Sequence, residues 1–221
     1  EESLEADQDK IQKVIDSLVL LRTEGTYLLP DFEGMGQHRE LSNSINGYGV
    51  VFDNYVLSLK HTTGIREARV RTEWGDRDYA LEVIKEDTFL DGQRIDVIVK
   101  DDINDMAIFK LPDDYKGARF PFGLGDSDKL RYGEEIYVVG NPKLSGTNVR
   151  KGRISSKPLN HAMPTIYFTS TLSPGDSGTG IVKASTFELI GLASQIFFGQ
   201  GAMRPINLYK PFLLPRLWMA D

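Results

Sequence analysis

Apolar residues recur at three- and four-residue spacing at the start of the chain, at Leu4, Ile11, Val14, Ile15, Leu18, Val19 and Leu21. That spacing lines one face of a helix. Glu1, Glu2, Glu5, Asp7 and Asp9 crowd its first turns, where the helix dipole favours negative charge. The pattern predicts a helix to about Arg22, ended by Gly25. Pro30, Gly34, Gly36, Asn43, Asn46 and Gly47 then predict a loop over residues 24–46. From Tyr48 the period becomes short and strand-like. Residues 49–52 and 55–59 flank Asp53-Asn54, a good hairpin pair, and residues 70–74 and 79–84 flank Gly75-Asp76. Residues 94–99 and 106–111 complete a first group. A polar, glycine-bearing stretch from Pro112 to Asp128 leads to a second group at 135–139, 148–154, 165–168, 180–182 and 189–193. Short strands at regular intervals predict an all-β fold, and the two groups predict two six-stranded β-barrels. The expected organisation is an N-terminal helix and loop over 1–44, a barrel domain over 45–208 and a short tail over 209–221. Within that domain the N-barrel covers about 45–115 and the C-barrel about 130–208.

Composition narrows the function classes. At 221 residues with 40% hydrophobic and 26% charged, the chain can fill one sizeable domain or two lobes. The net charge is -6 and no basic block occurs, which argues against non-specific nucleic-acid binding. Cysteine is absent, so disulfides, thiolate metal sites and Cys nucleophiles are excluded together. No apolar run approaches the roughly 20 residues of a membrane helix. Glu1-Glu2-Ser3 reads as the start of a mature or trimmed chain.

Three histidines are present: His38, His61 and His161. His61 ends the Val56–Leu59 run, Asp105 opens an apolar run, and Ser177 lies in Ser173-Pro174-Gly175-Asp176-Ser177-Gly178. Singly, each is an ordinary structural or turn residue. In this order they fit acyl transfer, which needs a hydroxyl activated by a base and a base oriented by an anion. Gly175 would let the turn aim the amides around Gly175, Asp176 and Ser177 at one spot, an oxyanion hole.

On these residues the sequence resembles the trypsin-like serine proteases, and within them the HtrA/Deg branch, over roughly residues 45–210. The motifs are Gly47-Tyr48-Gly49-Val50-Val51, Lys60-His61-Thr62, Asn104-Asp105-Met106-Ala107, Leu172-Ser173-Pro174-Gly175-Asp176-Ser177-Gly178 and Leu189-Ile190-Gly191-Leu192. Gly125-Asp126-Ser127 through Gly133-Glu134, with Val139-Gly140-Asn141-Pro142 after it, is the most HtrA-like part. The resemblance implies a trypsin-like double barrel and a serine endopeptidase with His61 as general base, Asp105 orienting it and Ser177 as nucleophile. It also implies a substrate pocket at Thr171, Leu172, Ser194, Gln195 and Ile196, with Ser194 supporting Asp105. Ile196 reads either as a pocket wall or as core packing. As a wall it makes the pocket shallow and apolar, and the predicted P1 residues are small aliphatics in unfolded polypeptides.

The resemblance further implies no cofactor, a homo-oligomer (a trimer) through the N-terminal segment, and a periplasmic or extracytoplasmic place. The N-terminal helix alone reads as a cap over one barrel, and Tyr27 and Phe32 are candidate interface aromatics. His38 and His161 lack partners at metal-ligand spacing, and Asp101–Asp105 lacks the features of a calcium loop, so no metal is expected. Several departures are visible. Thr179 follows Ser177-Gly178 and could crowd the nucleophile's turn, Tyr48 could narrow the groove, and residues 86–100 form an extra hairpin. Family members often continue into PDZ domains, whereas Leu208 to Asp221 are too short for one and are expected to lie across the barrel surface. Two alternatives stay open: a latent or inactive protease-fold scaffold needing an activating partner, and a narrow-specificity processing protease.

Overall fold

A helix, α1 (Glu2–Asp16), begins the chain, and Ser17 stops it. The Ser17 hydroxyl and amide both bond the Val14 carbonyl, at 2.7 and 3.2 Å, which closes the last turn. The chain then straightens into a strand, β1 (Leu18–Leu29), in which every second residue from Val19 to Leu29 is buried. Leu18, Val19 and Leu21 are therefore not helical, contrary to the expectation from their spacing. The period-two run of β-branched and aromatic residues through Thr23 and Tyr27 prevails over a few apolar matches at helical spacing. β2 (Arg39–Phe52) pairs antiparallel with all of β1, from Leu18↔Val50 to Leu29↔Arg39. The loop expected over 24–46 is thus strand at 24–29 and 39–46, and residues expected outside the barrel domain belong to its first sheet. The computed structural model describes residues 2–29, 39–64, 67–72, 75–140, 146–157, 164–197 and 199–217. Phe32, His38, Asn141, Pro142 and His161 lie outside them.

The first unit continues with β3 (Tyr55–Ser58), β4 (Glu67–Thr72), β5 (Gly75–Ala80), β6 (Glu82–Leu90), β7 (Gln93–Ile95), β8 (Val97–Asp101) and β9 (Met106–Lys110). β4 and β5 form a separate hairpin with Thr72 opposite Gly75 and Arg71 opposite Asp76, so the expected turn pair Gly75-Asp76 is strand. The other strands form a seven-stranded sheet in the order β7-β6-β1-β2-β3-β9-β8. Its two edge strands are successive in sequence and separated by Asp96 alone, so the sheet curls until its edges meet at that corner. The Asp96 carbonyl holds the corner by accepting from the Lys110 amide at 2.8 Å. β7 and β8 are in effect one bent strand between β6 and β9, which leaves the six strands expected of the first unit, joined at that corner through the chain rather than by a closing ladder.

The second unit is a closed six-stranded barrel of β10 (Glu135–Gly140), β11 (Asn148–Ser156), β12 (Ile166–Phe168), β13 (Gly180–Lys183), β14 (Leu189–Phe197) and β15 (Gln200–Pro205). Its order is β10-β11-β12-β15-β14-β13. β15 has no counterpart among the expected strands, because Gly201, Arg204 and Pro205 are poor strand signals. A short helix, α2 (Lys210–Leu217), comes after it.

Each unit has its own apolar centre: Leu21, Val56, Ala107 and Phe109 in the first, Ile136, Val138, Phe168 and Ile181 in the second. A third cluster joins them, with Val50, Leu57 and Ile108 against Val139, Val182, Leu189 and Leu192. Val14 of α1 and Tyr209 and Leu213 of the tail complete this seam. The terminal segments therefore pack between the units, and the Lys10 ammonium sits 5.1 Å above the Phe187 ring. Among the described residues no helix is long and apolar enough to cross a membrane.

Tyr209 is fully buried, and its hydroxyl donates to the Ser58 carbonyl at 2.9 Å. Tyr209→Phe leaves that carbonyl without its donor, which costs about 1–3 kcal/mol. The expected fall in Tm is about 2–4 °C per kcal/mol at this size, measured by calorimetry.

Candidate active site

His61 stands just past β3, in a turn built by its neighbours. The Thr62 and Thr63 hydroxyls donate to the Leu59 carbonyl at 2.8 and 3.2 Å, and the Thr63 amide bonds the Lys60 carbonyl at 3.0 Å. Asp105 ends the loop from β8 to β9 with a φ of 53°, a left-handed conformation that Asp tolerates better than most residues. Asp101 folds this loop on itself. Its carboxylate accepts from the Ile103 and Asn104 amides at 2.9 and 3.1 Å and from the Asn104 side chain at 2.6 Å. These bonds, led by the Asn104 side chain, hold the Asp101 carboxyl below its ordinary pKa.

The two loops meet closely. Asp105 Oδ2 lies 2.8 Å from His61 Nδ1, and Asp105 Oδ1 accepts the His61 amide at 2.9 Å. A carboxylate only accepts, so this contact places a proton on Nδ1 and leaves the Nε2 lone pair free. From the second barrel, Ser194 Oγ donates to Asp105 Oδ2 at 3.4 Å and Arg204 Nε stands 3.6 Å from it. Burial acts to raise the Asp105 pKa, but the His61 ring bond, the His61 charge, the His61 amide and the Arg204 charge outweigh it. The carboxyl is held below its ordinary value of 3.8.

Ser177 comes from the opposite unit, on the turn between β12 and β13. Its carbonyl accepts the Tyr48 amide at 3.3 Å, and the Gly178 amide bonds the Ala193 carbonyl at 2.8 Å. Gly178 has a φ of 88°, and a Cβ there would collide with the Tyr48 carbonyl. Only glycine lets the turn dock this closely. The Ser177 hydroxyl donates to the Ser194 carbonyl at 3.0 Å. Thr179 closes the turn: its hydroxyl donates to the Asp176 carbonyl at 2.7 Å. The crowding expected of Thr179 is thus a brace, and Tyr48 is buried, with its backbone docked on the turn.

Beside Ser177 lies a cavity of about 150 Å³ lined by Leu172, Ser173, Pro174, Asp176, Ser177, Ser194 and Gln195. Three of the expected substrate residues, Leu172, Ser194 and Gln195, are in its wall. Thr171 is not, and its carbonyl accepts from Arg150 Nη1 at 2.6 Å. Ile196 lies on β14 opposite Gly201, and its side chain falls outside the described part. A larger open hollow of about 490 Å³ lies against Glu24, Ser42, Asn43, Lys85 and Asp87. It holds none of the three residues His61, Asp105 and Ser177. Sequence reasoning missed Arg204 and Arg150. Arg204 is buried between Met203 and Pro205 and donates to the Thr165 hydroxyl at 2.6 Å. A lone cation in the short run from Gly201 to Ile206 was the available signal.

The Asp105 carboxyl tests this arrangement by NMR titration. Its folded pKa lies below the unfolded one, so its contribution to stability is complete above pH 3.8 and is lost as the pH falls through the folded value. His61→Ala removes the two largest lowering influences, the ring bond and the ring charge, and keeps the backbone amide, so the Asp105 carboxyl should titrate at higher pH than in the wild type. An unchanged titration would show that the His61 contact does not persist in solution.

Residues 47–192 match the family model for the trypsin-like peptidase domain. A probable periplasmic serine endoprotease, DegP-like, from Pseudomonas putida (strain GB-1) is 26% identical over 180 residues, covering 79% of this chain and 34% of that protein. A serine protease, HtrA-like, from Staphylococcus haemolyticus is 29% identical over 174 residues, covering 69% of this chain and 24% of that one. The chain thus spans about a third or less of the length of these relatives. Among solved structures, a serine-to-alanine form of the HtrA-type protease AlgW with a decapeptide superposes with a TM-score of 0.66 at 20% identity, covering 97% of this chain and 68% of that one. AlgW with a tripeptide gives 0.61 at 23% identity, covering 91% and 60%. These likenesses bear on the fold, a trypsin-like pair of β units. The match over residues 47–192 goes further: the chain belongs to the trypsin-like peptidase domain family.

Proposed function

We propose that the chain is a serine endopeptidase in which Ser177 is the nucleophile, His61 the general base and Asp105 its orienting anion. The observation that carries this reading is the 2.8 Å contact of His61 Nδ1 with a half-buried carboxylate, on the seam where the Ser177 turn docks against Tyr48. Ser177 Oγ adds to the scissile carbonyl as its proton passes to His61 Nε2, and the new oxyanion is received by the amides of Gly175 and Ser177. Collapse breaks the C–N bond, and His61 gives the proton to the leaving amine. Water, deprotonated by His61, then hydrolyses the acyl-enzyme. The endoprotease relatives, and the peptide-bound structures that the fold matches, support polypeptide substrates.

The cavity beside Ser177 is the proposed P1 site. A space of about 150 Å³ between Leu172, Pro174 and Gln195 suits a small aliphatic side chain. The one acid in its wall, Asp176, is paired with Arg150 at 2.6 Å and so offers little attraction to Lys or Arg.

A second reading, a latent resting state, is favoured by one contact: the Ser177 hydroxyl donates to the Ser194 carbonyl rather than to His61. Digestion of an unfolded, casein-like protein with a fluorophosphonate probe alongside separates the two. Active enzyme cleaves and labels, and Ser177→Ala lowers kcat by roughly 10⁴-fold or more and abolishes labelling. A folded wild type that labels only after a peptide is added is latent. In matched peptides, Val or Ala at P1 should exceed Lys and Phe by about tenfold or more in kcat/KM, and cut-site mapping that returns basic P1 residues would overturn the pocket assignment.

A further inference from the structure

On the side of the first unit, Asp105 is held by a single residue. Its Oδ1 accepts the His61 amide at 2.9 Å and its Oδ2 lies 2.8 Å from His61 Nδ1. Both bonds stay within that unit, so they tie the carboxylate to His61 and carry no information about where Ser177 stands. The second unit reaches the same Oδ2 through two groups. Ser194 Oγ donates at 3.4 Å, which is long for a hydrogen bond. Arg204 Nε stands 3.6 Å away, on a side chain that is 3% exposed. Arg204 projects from β15, opposite Leu192 on β14, so the closed barrel fixes its backbone. Its Nη1 donates to the Thr165 hydroxyl at 2.6 Å, but Nε is buried and makes no hydrogen bond among the described residues. Among those residues, Asp105 is the anion at ion-pair distance from it. The tail adds Tyr209, whose hydroxyl is spent on the Ser58 carbonyl and kept un-ionised by burial. The groups facing Asp105 are thus His61, Ser194, Arg204 and Tyr209.

We propose that Arg204 is a positioning residue for Asp105: its buried guanidinium draws the carboxylate toward the second unit and so sets the line along which His61 presents Nε2 to Ser177. The inference rests on the reading of His61, Asp105 and Ser177 as the catalytic residues. A buried arginine with one neutral partner costs stability, and an apolar side chain would fill the same space in a closed barrel at less cost. Its charge is then what the position needs. Attraction between charges falls slowly with distance and needs no alignment of a donor with a lone pair. It therefore acts at 3.6 Å, where a hydrogen bond is weak. The pair also joins the units at the oxygen that orients His61. A first unit shifted along the seam would carry Asp105 away from Arg204 and strand the cation in the barrel. The docked register and the orientation of His61 are thus set together.

The test measures peptide kinetics and fluorophosphonate labelling for wild type, Ser177→Ala, Arg204→Met, Arg204→Lys and the double variant Arg204→Met/Thr165→Val, with NMR of His61 and Asp105. A displacement of about 1 Å at a reacting group costs up to roughly 100-fold in rate. Arg204→Met is therefore expected to lose about 10- to 100-fold in kcat and labelling, with KM little changed. The His61 Nδ1 proton, deshielded by its carboxylate contact, should stay visible in that variant, because both bonds between His61 and Asp105 remain. The Asp105 carboxyl should titrate at higher pH, since one of the charges that lowers it is gone. Arg204→Lys keeps the charge and should exceed Arg204→Met by at least about threefold in kcat. Wild-type kcat, a loss carried by KM, an unmoved Asp105 titration or a vanished His61 proton signal in Arg204→Met would each overturn the inference. So would an Arg204→Lys no faster than Arg204→Met. If Arg204→Met does not fold, the double variant, which strands no hydroxyl, is read in its place. Failure of both to fold overturns the inference too, because the arginine would then hold the barrel rather than the carboxylate. An unlabelled wild type sinks the nucleophile reading together with this inference. Labelled wild type, unlabelled Ser177→Ala and Arg204→Met at the wild-type rate sink this inference alone.

Discussion

His61 and Asp105 ride on the first sheet and Ser177 on the second, so their relation depends on how the two units meet. The seam is one continuous apolar cluster in which Val50, Leu57 and Ile108 face Val139, Val182, Leu189 and Leu192. Burial of such surface is strongly favourable, at about 25 cal/mol per Å², but it has no direction. It presses the units together without saying where one stops along the other. Register comes from the few polar contacts that cross the seam: Tyr48 amide to Ser177 carbonyl, Tyr209 hydroxyl to Ser58 carbonyl, and Ser194 and Arg204 to Asp105. Each is directional, and each ends within a few residues of His61, Asp105 or Ser177. Apolar area supplies the adhesion and these bonds supply the alignment.

The loops at the seam have little apolar side chain to pack, and the chain holds several of them with ion pairs in which at least one charge is buried instead. Arg150 pairs with Asp176 at 2.6 Å, and the buried Lys60 ammonium with Asp102 at 2.7 Å. Lys100 bridges Glu86 at 3.0 Å and the Thr63 carbonyl at 2.8 Å, with the Tyr27 hydroxyl on the other Glu86 oxygen at 3.0 Å. Pairs of this kind give little net stability, because desolvation offsets most of the attraction. They give position instead, since a broken pair strands a charge. The Lys100 contact fixes the backbone two residues past His61, and Arg150 fixes the backbone on the approach to Ser177. The same logic operates on both sides of the seam.

The sequence made some of this legible for reasons that lie in local chemistry. The β2–β3 hairpin shows itself through Asp53-Asn54 between two apolar runs, and the Ser177 turn through its clustered Gly, Pro, Asp and Ser. Both signals are short-range. The β1 strand failed because Leu18, Val19 and Leu21 satisfy a helical spacing and a strand spacing at once, and only pairing with β2, 12 residues long, decides between them. β15 failed because Gly201, Arg204 and Pro205 carry no strand preference; the closed barrel imposes the conformation. Arg150 and Arg204 were invisible as site residues because a cation announces its partner only when the fold brings a carboxylate to it. Thr171 was placed in the substrate pocket by resemblance, and its carbonyl is taken by an arginine that no local pattern could have supplied.

Ser194 gathers these threads into one residue. Its carbonyl accepts the Ser177 hydroxyl at 3.0 Å, its own hydroxyl reaches Asp105 at 3.4 Å, and its backbone borders the cavity. In the proposed mechanism Ser177 leaves the Ser194 carbonyl for His61 Nε2, a rotation about one bond between staggered positions. It exchanges one neutral hydrogen bond for another, and a typical net difference is about 1 kcal/mol. By transition-state arithmetic that delays the chemical step by about tenfold at most, far less than loss of the oxyanion amides would. The resting contact is therefore a shallow state. An active site differs from an idle one here in the fixity of the turn that carries Gly175 and Ser177, and that fixity comes from Gly178 against Tyr48, Thr179 on the Asp176 carbonyl, and Arg150 on its side chain.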